Sequence, residues 1–479
     1  MTKRKAVTAN VVLDKFLRVC QKTINPAVLA PGVTMRKGKT EKVTERPAIE
    51  NRIATYGEIR NNKKYRRGLG MVLPSDVYRT GDIYHNAFDI MSYGGRDFSF
   101  CKSVNGKQLC YSKEETKKIF IGNLEDWLED PLKCRSDADA VVLGIEDNES
   151  WCDCPDCTAF KKKYGSDSAV MLLFIGDVAK SVNRKRMLRG KKPLVFVMFA
   201  YYATSEPPKG LSVGEDVGVL VAPIKMRFRS SVFAPENEKY KMQVEGWASL
   251  TSNLYAWTYN FYTRNSFITY DTFETMPILY KWLTGLGVKA LYDQTESYQP
   301  VAVAWGRFKA YLQSELQWNP DADVQKLRRI WFDGYFEDHS EIMEKVFTET
   351  LALYSLICSR HISEPAYSEI GEEITLFSCI QKEGGELRKE LFSALTEWLD
   401  VFEREIERSR AADRMSMSRR IELESLQYLY WAIEVFHAEY GESRVQNMKK
   451  LFKERAEANK VAYCKENCSI GELWKRWDV

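Results

Sequence analysis

The amino-acid sequence predicts an α/β protein: a (β/α)8 TIM-like barrel followed by an all-helical C-terminal region. Three observations carry that prediction. Between residues 46 and 317, short apolar runs alternate with amphipathic stretches. The runs at 140–145 (AVVLGI), 194–202 (LVFVMFAYY), 217–224 (VGVLVAPI), 253–259 (NLYAWTY) and 288–294 (VKALYDQ) have strand length and are rich in β-branched and aromatic residues. Beyond Pro320 such runs stop.

Near-continuous hydrophobicity marks strands buried on both faces of a parallel sheet. Five such units within this span favour a closed barrel over an open sheet. No G-x-G-x-x-G or Walker A sequence follows any strand, so the nucleotide-binding open sheets lose their usual support. Between the strands, 168–182 and 272–287 have helical periodicity. An Asp-capped helix is expected from 321 to 336. A long helix is expected where Leu423, Leu426, Tyr430, Ile433, Phe436 and Tyr440 repeat at spacings of three and four. At the other end, a helix at 11–20 leads into a Pro/Gly/Lys-rich linker. The expected division is 1–45 for the helix and linker, 46–319 for the barrel and 320–479 for the helical region.

Composition narrows the partners. The chain has 479 residues, 44 % hydrophobic and 28 % charged, with a formal net charge of only +4, so no phosphate-tracking surface is demanded. It has no apolar run long enough to span a membrane. The basic start lacks the continuous apolar core and cleavage site of a signal peptide, so the chain as written is expected in the cytoplasm, with release by lysis one route to an external substrate. Aromatic content is high at 13 %, including 12 Trp and 25 Tyr, residues that pack cores and also form platforms for sugar rings.

The segment 141–157, VVLGIEDNESWCDCPDC, concentrates the chemistry. A buried strand ends at Glu146, Asp147, Asn148 and Glu149. In a barrel the active site sits at the C-terminal strand ends, where carboxylates serve as acid, base or nucleophile. The bland alternative is a solvated acidic turn. Cys152, Cys154 and Cys157 then offer three soft ligands on a tight loop; tetrahedral zinc needs a fourth, which Cys110 or Cys134 would supply. Four histidines in the whole chain give little support to a Cys–His or Ser–His–Asp arrangement. The pair Cys464 and Cys468 reads as an incidental helical i, i+4 pair.

The order of segments resembles the bacterial family first catalogued as domain of unknown function 4838, part of which became glycoside hydrolase family 163, the endo-β-N-acetylglucosaminidases of complex N-glycans. The landmarks are RPAIENR (46–52), IYHNAFDI (83–90), GKQLCYS (106–112), GIEDNESWCDCPDC (144–157), YGSDSAVMLLFIGDVAK (164–180), FAYYATSEPP (199–208), LVAPIKMR (220–227), LYAWTYNF (254–261), GVKALYDQTESY (286–298) and LQWNPDADV (316–324). The resemblance implies a barrel glycosidase needing no cofactor for its chemistry, with a structural zinc as an added expectation. It places Asp147 on the Asp of an Asn-Asp-Gly turn, with Glu146 replacing the Asn. Asn148 and Glu149 stand where the family has Gly, which makes the turn bulkier and more acidic. Relatives usually carry a signal peptide and a larger domain before the barrel.

On this resemblance Asp147 is the central catalytic carboxylate and Glu146 its partner or tuner, while Asp293 or Glu296 takes the second role. His85, Tyr201, Tyr202, Trp257, Tyr259 and Gln294 are expected to bind sugar. Cys110, Cys152, Cys154 and Cys157 are the expected metal ligands. Two other readings stand beside this one. The first is a glycan-binding barrel that has lost catalysis, which the altered turn favours. The second is a zinc-containing nucleic-acid partner, resting on six basic residues within 183–192, a stretch that ordinarily reads as a solvated loop.

Overall fold

The computed structural model describes residues 46–81, 84–134, 137–261, 270–295, 305–336, 340–352 except 342, 346 and 349, and 442–479 except 459, 466 and 467. The helices expected at 11–20 and 423–440 lie outside the described residues.

Six strands form one wholly parallel sheet: β1 (Asn51–Ile53), β2 (Ala140–Leu143), β3 (Val195–Ala200), β4 (Val217–Val221), β5 (Leu254–Tyr259) and β6 (Ala290–Gln294). Their spatial order is β1-β6-β5-β4-β3-β2. The first strand therefore lies beside the last, as a barrel requires. All but a few residues of β2 to β6 are buried, and this is the burial expected of a sheet covered on both faces.

Among the described residues the sheet has six strands where eight were expected. Two strand positions shrink to single parallel bridges, Val72 on Ile53 and Tyr78 on Ala140. Between them Pro74 opens a short helix, Pro74–Val77. Proline cannot donate to a strand ladder and suits the first turn of a helix. The chain here curls away from the sheet edge, leaving a mixed α/β fold with a curled parallel sheet, a partial TIM-like barrel.

Helices cover the outer face. Helix Ser168–Leu188 packs on β3 and extends the expected segment through the first half of the basic stretch. Helix Gly306–Trp318 is buried along nearly its whole length, including Arg307, Lys309, Gln313 and Glu315. Helix Val324–Phe336 covers it with Trp331 and Phe332, whose ring centroids lie 5.8 and 5.3 Å from that of Phe308. The boundary expected at 319/320 thus falls between two helices that pack on each other. Arg307 is paired within the core to Glu58 at 2.9 Å.

The C-terminal region is not purely helical. Between helices Glu442–Ala458 and Ile470–Trp477, strands β7 (Tyr463–Lys465) and β8 (Cys468–Ser469) pair antiparallel. Cys464 and Cys468 face each other across this hairpin with sulfurs 3.5 Å apart, rather than along a helix. Among the described residues, no helix is long and apolar enough to cross a membrane.

Candidate active site at the strand ends

Because all six strands run parallel, their C-terminal ends open on one rim. The segment 84–89 lies across the end of β2. A Cβ at Gly144 would stand 1.7 Å from the carbonyl oxygen of Tyr84, so only glycine permits that crossing. The Asn86 side chain stitches it down, donating to Val142 O at 2.8 Å and accepting from Gly144 N at 3.1 Å.

This crossing fixes His85. Its Nδ1 lies 2.7 Å from Ile145 O. A carbonyl only accepts, so Nδ1 carries a proton and Nε2 faces the rim. There Nε2 is 3.9 Å from Asp147 Oδ1. The same oxygen accepts from the Tyr201 hydroxyl at 3.0 Å. Burial, then Tyr259 and Asp147, raise the Tyr201 phenol far above its ordinary value, so it stays a neutral donor. Asp147 itself is two-thirds exposed, a carboxylate held in place yet open to solvent.

Glu146 points elsewhere. Its Oε1 accepts from the Phe88 backbone N–H at 2.8 Å. Burial raises its carboxyl above the ordinary value, with the Phe88 hydrogen bond and His85 pulling the other way. Its backbone is held by Gln108, whose amide accepts from Glu146 N and donates to Glu146 O and to Asn148 Oδ1. Sequence reasoning did not single out Gln108. It sits within the landmark GKQLCYS, but nothing in the sequence says what it ties.

Aromatic residues line the interior beside Asp147. The Tyr201 ring stacks on Phe199 at 4.9 Å, Phe199 on Trp257 at 5.8 Å, and Trp257 lies 6.2 Å from Tyr259. Tyr201 and Tyr259 are themselves buried, while Trp257 is only partly so. Tyr84, also unanticipated, packs beneath this wall, its ring 4.7 Å from that of Trp257.

Tyr202 adopts φ 45, the left-handed region that a bulky residue enters only when its surroundings dictate it. Thr204 supplies part of that constraint, accepting from Tyr201 N and donating to Phe199 O and Tyr201 O. The turn sets Tyr202 on a cavity of about 260 Å³ shared with Glu149, Lys225, Tyr240 and Gln243. Glu149 and Lys225 pair at 2.5 Å across its mouth. Lys225 lies inside LVAPIKMR and carries no motif that would have marked it.

Asp293 lies on the other face of the sheet from the rim aromatics. Its carboxylate accepts from Thr258 at 2.6 Å, Asn260 at 3.2 Å, Gln313 at 2.7 Å and the Tyr280 hydroxyl. Tyr280 and Gln313 belong to the covering helices Met276–Gly285 and Gly306–Trp318. Asp293 is thus not brought together with Asp147. Its neighbour Gln294 faces the interior and accepts from Trp257 Nε1 at 2.8 Å. Glu296 lies outside the described residues.

The four cysteine sulfurs of Cys110, Cys152, Cys154 and Cys157 lie within 4.8 Å of one another. Cys134 is not among them. Hydrogen bonding, led by Cys157, holds the Cys110 thiol down at about 4, while the same contact and burial push Cys157 upward.

A parallel, curled sheet covered by helices places the chain among the α/β proteins with a partial TIM-like barrel, and a carboxylate, a histidine and a tyrosine meet on its C-terminal rim. The family model described as Domain of unknown function (DUF4838) matches residues 30–346. The chain belongs to that family. No curated protein matches. Among solved structures the chain is similar to a family GH115 4-O-methyl-α-glucuronidase with specificity for decorated arabinogalactans, at 12 % identity and a TM-score of 0.48. The match covers 85 % of this chain and 52 % of that one, so this chain spans about half that protein's length.

Proposed function

We propose that the chain is a glycoside hydrolase acting on oligosaccharides that contain N-acetylglucosamine, with Asp147 as its central carboxylate. The observation that carries this reading is the setting of Asp147. One of its oxygens accepts from Tyr201 and lies near His85, on a rim bordered by the partly exposed Trp257. Glycoside cleavage needs a proton for the leaving oxygen and a group that handles the cationic sugar carbon. In a β-N-acetylglucosaminide the substrate's own acetamide can attack that carbon. Asp147 would then accept the acetamide N–H and stabilise the charge that develops. Trp257 and Tyr202 supply apolar faces for sugar rings, and Lys225 with Glu149 supplies polar contacts for hydroxyls. Because four donors already engage Asp293, Glu296 takes the second carboxylate role in this reading.

Replacing Asp147 with Asn and assaying reducing-sugar release from a complex N-glycan tests the assignment. The expected loss is on the order of 10²–10⁴-fold, the usual contribution of a positioned proton-transfer or charge-stabilising carboxylate. Undiminished turnover in that variant overturns it.

The locked state of Asp293 favours a second reading, a barrel that binds glycan without turning it over. Saturable binding of the same N-glycan, with no product from the wild type after prolonged incubation, would select that reading.

A further inference from the structure

The four-cysteine cluster is built for a metal. A tetrahedral centre with metal–sulfur bonds of about 2.3 Å has sulfur–sulfur edges of about 3.8 Å. Cys110 lies 3.6 Å from Cys154 and 3.9 Å from Cys157. All four sulfurs fall within 4.8 Å of one another. A disulfide would need about 2.05 Å, and all four cysteines are free thiols. Cys110, Cys152 and Cys157 are buried to between 1 and 4 % exposure. The donors come from two loops: Cys110 follows the bridge between Lys102 and Leu109, while Cys152 and Cys154 lead into helix Pro155–Tyr164, whose first turn holds Cys157. The Ser112 hydroxyl lies 3.2 to 3.6 Å from the sulfurs of Cys110, Cys157 and Cys154. The hydroxyl accepts from Cys157 Sγ and has a single proton to give to Cys110 or Cys154, an outer partner of the kind metal sites use.

We infer that Cys110, Cys152, Cys154 and Cys157 form a closed tetrathiolate site for a structural Zn2+, which fastens the loop carrying Asp147 to the loop carrying Gln108. Four protein sulfurs leave no open position for water, so the ion is structural. Soft thiolates select zinc over magnesium or calcium, and tetrahedral S4 geometry suits it. Gln108 lies two residues before Cys110 and binds both backbone groups of Glu146. The ion thus closes the far end of a loop pair whose near end sets the Asp147 turn. It takes no part in the rim chemistry.

The test needs no substrate, so its outcome is independent of the glycosidase reading. The full chain, purified under reducing conditions after growth with added zinc, is expected to hold one zinc per chain. X-ray absorption should show four sulfurs at about 2.3 Å. Cys134→Ser is expected to retain the full equivalent. Cys110→Ser with Cys157→Ser should lose it, and should also melt at a lower temperature than Cys134→Ser. Should the double variant fail to fold, Co2+ added to the apo wild type still decides the matter: thiolate-to-cobalt charge-transfer bands with tetrahedral d–d bands support the site. Substoichiometric zinc after reconstitution, a nitrogen or oxygen coordination shell, or disulfides among these four thiols by mass spectrometry would each overturn it.

Discussion

Replacing Gly144 with Ala strikes the contact that organises the candidate site. The added methyl would stand 1.7 Å from Tyr84 O and 2.9 Å from Tyr84 C. Carbon–oxygen contacts tolerate about 3.3 Å, so the Tyr84 backbone must retreat by about 1.6 Å. A shift that large breaks the His85–Ile145 bond and both Asn86 bonds to β2. Each is worth about 1 kcal/mol net, and residual strain adds about 1 kcal/mol, for a loss of about 4 kcal/mol. At about 2.1 cal/mol/K of unfolding entropy per residue, a chain of 479 residues then melts about 4 °C lower. Differential scanning fluorimetry measures it, with Gly122→Ala as the control. Gly122 lies in helix Glu114–Glu129, where a methyl meets nothing within 4 Å, so that change should be neutral or stabilising by up to about 1 kcal/mol. A Gly144→Ala protein melting within about 1 °C of wild type would refute the reasoning.

Other outcomes follow from the same geometry. Asp293→Asn turns an acceptor oxygen into a donor facing donors and should cost about 2–4 kcal/mol in chemical denaturation, whatever it does to turnover. Glu58→Gln strands the buried Arg307 charge and is expected to cost about 3–5 kcal/mol in the same assay. Tyr201→Phe removes the donor to Asp147 while keeping the stacked ring; activity on N-glycan should fall about tenfold with the melting temperature nearly unchanged. Burial raises the Glu146 carboxyl above its ordinary 4.5. The folded protein therefore keeps that proton after the unfolded chain has lost it, and stability falls as pH rises through the gap. Glu146→Gln should relieve this penalty, gaining on wild type in urea midpoint from pH 4 to pH 7; an unchanged difference across that range contradicts the assignment.

Much of this architecture was legible in the sequence because burial on both faces is a local, composition-borne property. The runs beginning at 140, 194, 217, 253 and 288 became β2 to β6 within three residues of their expected ends. The ends of those runs placed Asp147, Tyr201, Tyr202, Trp257 and Gln294 on one rim, since parallel strands share a direction. The missing strands were hidden: Val72 and Tyr78 make one bridge each, too little to leave a periodic trace.

What the sequence determined by itself is which segments are buried strands and which polar residues close them. What only the tertiary structure decided is which way those residues face. In a strand apolar on both sides, alternation does not say which parity points inward, so Asp293 and Gln294 were both expected at the mouth, whereas helices Met276–Gly285 and Gly306–Trp318 supply donors to one and Trp257 to the other. Glu146 and Asp147 were likewise adjacent carboxylates until residues 84–89 crossed the strand end, binding one to Phe88 and leaving the other to His85 and Tyr201. The spacing of Cys152, Cys154 and Cys157 is local; that Cys110 and not Cys134 joins them depends on how two loops distant in sequence meet.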